Sequence, residues 1–273
     1  MLTSLKNPWV KELRKLHQAK YRSLHQQFLV EGTHLVEAAI ATQYPLHAVC
    51  ATPHWQAQHP DLWAQVQTQA ARSELVSPAV LAAIATTETP DGVIAIAPQP
   101  PAVTTPGRPH LGLVLEALQD PGNVGTLMRT AAAAGCDGLW LSGDGVELTH
   151  PKVLRASAGQ WFRVAAQKLP HWPTQATVWQ QQGCQILATA ATGAVPYWEV
   201  DLTQPTVLLL GNEGAGLSAE AIATANQIVA IPMMNGVESL NVGVAAAVIL
   251  FEAVRQRLAG GATQSPLSGT DLT

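Results

Sequence analysis

Five short apolar runs constrain this chain more than any other feature: LGLVLEAL (111–118), GLWL (138–141), CQILAT (184–189), TVLLLG (206–211) and QIVAI (227–231). A strand that is apolar at consecutive rather than alternate positions is buried on both faces. Helical patterns at 123–134, 151–158, 174–182 and 218–225 lie between the runs. Strand and helix alternating in this way predict a parallel sheet covered on both sides. The last helical pattern, about 239–257, is apolar on nearly every side up to Val254. Such a helix is expected in a core or against a second subunit.

Upstream, the spacing of Trp9, Leu13, Leu16 and Leu24 predicts a helix over 8–24. The runs FLV (28–30), LVEAAIA (35–41), LHAVCA (46–51) and GVIAIA (92–97) follow, and predict a smaller α/β domain over 1–97. The stretch APQPPAVTTPGRPH (97–110) holds five prolines and one glycine. Proline can continue neither a helix nor a central strand, so 98–110 reads as a linker. A second domain is expected over 111–258, and a disordered tail rich in Gly, Ser and Thr over 259–273.

The formal net charge is −4, but it is unevenly spread. Residues 1–30 hold Lys6, Lys11, Arg14, Lys15, Lys20 and Arg22 against the single acid Glu12, a local +5 on a body of −9. A basic arm on an acidic body suits a local contact with phosphates, although a solvated amphipathic helix has the same composition. Cys50, Cys136 and Cys184 are far apart and the histidines lack metal-ligand spacing, which predicts no disulfide framework and no metal site. No run is long enough to span a bilayer, and the N-terminus has no apolar stretch of signal type. A reducing, cytoplasmic setting is the expectation.

Three segments carry chemistry. DPGNVGTLMRTAAAAG (120–135) leaves a strand, turns, and opens a helix bearing the isolated charge of Arg129. Its glycines are spaced G-x-x-G, which is not the dinucleotide-binding pattern. LLLGNEGAGLS (208–218) runs from a strand into three glycines around Glu213, with Ser218 placed to cap the next helix. IPMMNGVESLNVGVAAAVILFEA (231–253) passes through Asn235 and Gly236 to Ser239, Leu240 and Asn241. From the residues alone, Ser239 also reads as a helix N-cap and Asn241 as a first-turn residue.

Together these segments resemble the signature motifs of the SpoU (TrmH) family of RNA ribose methyltransferases, in the SPOUT superfamily. The N-terminal cues SLKNPWVKELRKL (4–16), Lys20 and Arg22, FLVEG (28–32) and TPDGVIAI (89–96) resemble the family's substrate-binding domain, which is similar to ribosomal protein L30e. The resemblance implies a parallel-sheet SPOUT domain with a deep trefoil knot, preceded by the smaller L30e-like domain. It implies transfer of a methyl group from S-adenosylmethionine to a ribose 2′-hydroxyl, with ribosomal RNA preferred. Transfer RNA as substrate and a non-catalytic RNA-binding homologue are the alternatives.

By the same resemblance, the methyl donor would contact Thr189, Ala190, Gly211, Asn212, Glu213, Gly214, Ile231, Met233, Ser239 and Leu240. Arg129 would engage the target nucleotide, either taking the 2′-hydroxyl proton or orienting the hydroxyl and stabilising charge. Asn123 and Glu213 would hold Arg129 and the active-site loops, and Ser239 and Asn241 would lie close to donor and target. RNA contacts would come from Lys6, Lys11, Arg14, Lys15, Lys20, Arg22 and Arg129. The family's assembly implies a homodimer.

Overall fold

The computed structural model describes residues 1–101, 107–190 and 194–260. The central part of the expected linker and nearly all of the expected tail therefore lie outside the described residues. In chain order the elements begin α1 (Pro8–Lys15), α2 (Ala19–His25), β1 (Gln27–Glu31), α3 (Thr33–Ala41), β2 (Ala48–Ala51), α4 (Pro53–Gln58), α5 (Pro60–Gln69), β3 (Ser73–Leu75), α6 (Pro78–Ile84) and β4 (Val93–Pro98). They continue β5 (Leu111–Leu115), α7 (Pro121–Ala133), β6 (Gly138–Leu141), α8 (Pro151–Ala156), β7 (Ala166–Lys168), α9 (Trp172–Gln181), β8 (Gln185–Thr189), β9 (Val195–Pro196), β10 (Thr206–Leu210), α10 (Ala219–Thr224), β11 (Gln227–Ala230) and α11 (Val242–Ala259).

These elements form two compact units that are not contiguous in sequence. Of the described residues, the first comprises 1–101, Asp120–Arg129 and Val146–Ala165; the second comprises 107–119, Thr130–Gly145, 166–190 and 194–260. The first unit contains a mixed sheet in the order β1-β4-β2-β3. Its core includes Leu29, Cys50, Val80, Ile84, Ile94 and Ile96. The segment 146–165 joins this unit through specific contacts. Trp161 packs tilted against Phe28 at 5.0 Å and edge-on to Tyr44 at 5.6 Å, ring centre to ring centre. Arg155 lies 3.6 Å from the buried Glu31 carboxylate.

The predicted helix over 8–24 is two helices, and the reason corrects a second expectation. Arg22 is buried, with only 2% of its surface exposed. Its Nη1 donates to the carbonyls of Leu16 and His17, each at 2.9 Å, and its Nε donates to Glu147 Oε1 at 2.9 Å. The guanidinium thus satisfies carbonyls that end α1 and fixes the turn into α2. Arg22 was expected among the RNA contacts, but its donors are committed inside the protein. Leu24, expected on the apolar stripe, is exposed because the break rotates α2 off the register of α1.

The second unit contains a seven-stranded sheet in the order β7-β6-β5-β10-β8-β11-β9, with every neighbouring pair parallel. β5 and β10 are buried at all five positions, as their consecutive apolar residues require. From β5 the chain steps outward through β6 and β7, whereas β8, β9 and β11 lie on the far side of β10. The strand order therefore reverses between β5 and β10, the kind of point beside which ligands bind at the carboxyl ends of parallel strands. The two short edge strands, β7 and β9, carry too few residues to show a sequence pattern.

Candidate active site

A cavity of about 440 Å³ opens at the carboxyl ends of β8, β10 and β11 in the second unit. It is of the size that holds a cofactor or small ligand. Three stretches of backbone build its wall: Thr189-Ala190 after β8, Leu210 to Leu217 after β10, and Ile231 to Val242 after β11.

The turn after β10 is held rigidly. Asn212 and Gly216 exchange backbone hydrogen bonds at 3.0 and 2.9 Å. The Asn212 side chain accepts from Gly214 N at 2.9 Å and Ala215 N at 3.1 Å, and donates to the Ala117 carbonyl at 2.8 Å. A Cβ on Gly211 would sit inside the backbone of Gly216 and Leu217, so only glycine allows this fold of the loop. Thr189 Oγ1 donates to the Leu209 carbonyl at 3.0 Å, tying the neighbouring strand end to the same wall.

Glu116, directly after β5, accepts from both Ser218 N and Ser218 Oγ at 2.8 Å. Ser218 Oγ accepts from Ala221 N at 3.1 Å, so the expected N-cap is present and is itself anchored. At α11 the expectation is corrected. Asn241, not Ser239, is the N-cap: its Oδ1 accepts from Gly243 N at 2.9 Å and the helix begins at Val242. Ser239 lies in the preceding loop and lines the cavity.

The cavity gathers Thr189, Ala190, Gly211, Asn212, Glu213, Ile231, Met233, Ser239, Leu240 and Asn241 of the predicted site residues, whereas Gly214 stands outside its lining. Sequence reasoning missed Glu238 and the apolar wall of Leu210, Leu217, Val229, Val242, Ala245 and Ile249. Val242, Ala245 and Ile249 fall on one face of α11, a spacing legible in advance had the helix start been placed correctly.

Among the described residues, the lining carries two carboxylates, Glu213 and Glu238, and no lysine or arginine. That balance favours a cationic ligand with an apolar body and disfavours a pyrophosphate. S-adenosylmethionine fits it: a sulfonium and an ammonium against acids, an adenine against aliphatic side chains, and polar edges against glycine-rich backbone. A larger cleft of about 620 Å³ lies in the first unit beside α3. Unlike the cavity in the second unit, it includes the cationic Arg155 and Arg163 in its lining.

Asn123 and Arg129 stand on α7, which follows β5. Gly125 lets α7 pack directly on α8, since a Cβ there would overlap Ala156 and the Val153 carbonyl. The Arg129 side chain is exposed and makes no hydrogen bond or ion pair among the described residues, so the expectation that Asn123 and Glu213 hold it is corrected. Neither Asn123 nor Arg129 is part of the cavity lining. Of the basic arm, Lys6, Lys11, Arg14 and Lys20 are exposed, and Lys15 pairs with Glu12 at 2.7 Å.

Comparison with known proteins agrees with this geometry. The sequence profile of the SpoU rRNA methylase family matches residues 110–251, and that of an MRM3-like substrate-binding domain matches residues 7–95. An uncharacterized tRNA/rRNA methyltransferase of Synechocystis is 46% identical over 260 residues, covering 94% of each chain. The 23S rRNA (guanosine(2553)-2′-O)-methyltransferase of Bacillus subtilis is 31% identical over 92% of this chain and 97% of that protein. The crystal structure of an AdoMet-bound rRNA methyltransferase from Sinorhizobium meliloti superposes with a TM-score of 0.82 at 31% identity, over 93% of this chain and 97% of that one.

A parallel sheet with an acidic, glycine-walled cavity at the carboxyl ends of its strands, joined to a substrate-binding domain, is the build of an S-adenosylmethionine-dependent RNA methyltransferase. More narrowly, this chain belongs to the SpoU rRNA methylase family.

Proposed function

We propose that this protein transfers the methyl group of S-adenosylmethionine to a ribose 2′-hydroxyl of ribosomal RNA. The observation that carries the reading is the cavity at the β8, β10 and β11 ends, with Glu213 and Glu238 and no lysine or arginine among the described residues of its wall. End-to-end likeness to an enzyme named for 2′-O-methylation of 23S rRNA supports ribosomal over transfer RNA.

The donor supplies an electrophilic methyl group on a sulfonium, and no metal is needed. Glu213 and Glu238 offset its positive charge. Gly211 and its neighbours bring backbone N–H and C=O groups within reach of its polar atoms, and Ile231 and Leu240 suit the faces of its adenine. Ser239 and Asn241, which line the cavity, would lie close to donor and target. Arg129 engages the target nucleotide and orients the 2′-hydroxyl, stabilising charge as its proton passes to water while the oxygen takes the methyl group and the donor leaves as its neutral thioether. Most of the acceleration then comes from positioning. Lys6, Lys11, Arg14, Lys15 and Lys20 gather the RNA backbone.

The reading extends to a domain division at the 98–110 linker, a trefoil knot formed by the segments around the cavity, and a cytoplasmic setting supported by three unpaired cysteines. It also extends to a homodimer. α11 exposes Val244 (49%), Phe251 (49%) and Leu258 (47%) at seven-residue intervals, an apolar stripe on a helix whose other face is buried. No helix among the described residues is long and apolar enough to cross a membrane.

The decisive test is to incubate the protein with methyl-labelled donor and ribosomal RNA, then digest with nuclease. Nuclease-resistant 2′-O-methyl dinucleotides are expected. Label on a base, or none in RNA, defeats the reading.

A further inference from the structure

We propose that Tyr21 and His25, framed by Lys15 and Lys20, form a stacking platform for an unpaired nucleotide of the RNA substrate. The inference rests on the reading of this protein as an RNA methyltransferase and assigns a contact that the basic arm alone does not specify.

The Tyr21 and His25 rings are nearly parallel, 13° apart, with centroids 6.1 Å from one another. The Lys15 and Lys20 ammonium groups lie 5.5 and 5.9 Å from the Tyr21 ring centre. Aromatic faces interleaved with cations are the composition that binds single-stranded nucleic acid: the ring takes a base, the cations take its phosphates. Lys15 comes from α1 whereas Lys20, Tyr21 and His25 come from α2, so the platform exists only because the two helices are held at a fixed turn. The buried Arg22 guanidinium supplies that constraint through the carbonyls of Leu16 and His17 and through Glu147. A site fixed before binding loses less freedom on binding.

The nearest opposing charge is Glu12, the only acid among the first thirty residues. It pairs with Lys15 at 2.7 Å and stands 3.7 Å from His25. Glu12 therefore keeps Lys15 beside the ring in the free protein, and an incoming phosphate must compete with it. A duplex presents its bases stacked and inaccessible to such a ring. The platform should thus distinguish unpaired from paired RNA, which a purely basic surface does not.

The test uses the full chain with two labelled probes, an unstructured oligouridylate and a blunt RNA duplex, at several salt concentrations. Tyr21→Ala should weaken oligouridylate binding about tenfold, as loss of one stacked base does. Duplex binding and the salt slope should stay as in the unaltered protein, and Tyr21→Phe should restore affinity. Lys20→Ala should instead reduce the salt slope by about one phosphate contact. Glu12→Gln should tighten binding of oligouridylate. In turnover, Tyr21→Ala should raise KM for RNA while leaving the affinity for S-adenosylmethionine unchanged. The proposal is overturned if Tyr21→Ala binds oligouridylate as tightly as the unaltered protein does, or loses duplex binding equally. It is also overturned if Tyr21→Phe fails to restore affinity while melting with the unaltered protein. Absence of methyl transfer to any RNA by the unaltered protein would count against the enzymatic reading, and the oligouridylate measurements would still judge the platform.

Discussion

Replacing Gly211 by alanine should disable donor binding while leaving the two units folded. The new Cβ would fall inside the backbone of Gly216 and Leu217, far closer than the 3.5–4.0 Å or so at which non-bonded atoms attract. Backbone, unlike a flexible side chain, can make room only by moving the loop. The loop is held by the two bonds between Asn212 and Gly216, at 3.0 and 2.9 Å. At about 1 kcal/mol net for each bond, opening this bridge costs about 2 kcal/mol. If the donor recognises the closed loop, its affinity should fall about thirtyfold, at 1.4 kcal/mol per tenfold. Calorimetric titration with S-adenosylmethionine measures that affinity directly. Thermal melting without ligand shows whether the fold has survived. A Gly211→Ala protein that melts normally and binds the donor with unchanged affinity would refute the argument that this close approach shapes the pocket.

Further outcomes are expected. Arg129→Ala should abolish methyl transfer in a radiolabel assay while donor titration and melting stay normal, because the side chain is exposed and supports no other group among the described residues. Arg22→Met should destabilise the protein in urea by about 3 kcal/mol, the lower end for breaking a buried pair, since Glu147 is 33% exposed and water can reach it. Burial pushes the Glu31 carboxyl up, but hydrogen bonds from Thr86 and Thr87 and the Arg155 charge outweigh it, holding it below its usual 4.5. A carboxylate so lowered contributes stability that is present above pH 4.5 or so and is lost as pH falls through its folded value. Glu31→Gln should therefore lower stability at neutral pH and flatten its acid dependence in that window, measured by melting across a pH series. For the proposed homodimer, Phe251→Glu should give a monomer in sedimentation without altering the circular dichroism, and an unchanged sedimentation coefficient would refute the α11 contact.

Much of this protein is local and therefore legible in the sequence. Consecutive apolar residues in LGLVL and TVLLL encode strands buried on both faces, and they lie at the centre of the sheet. Gly211, Asn212 and Glu213 announced a loop at a strand end, and Ser218 announced its helix, because turn and cap chemistry depends on residues only a few positions apart. What the tertiary structure alone decided depends on groups distant in the chain. Arg22 has the composition of an RNA contact, yet a carboxylate 125 residues away and two carbonyls take its donors. Glu116 serves Ser218 across 102 residues. Glu238 shares the cavity wall with Glu213 only because β10 and β11 flank β8. Periodicity records which face of an element is buried. It does not record what that face is buried against, and the fate of a charge is settled by its partner.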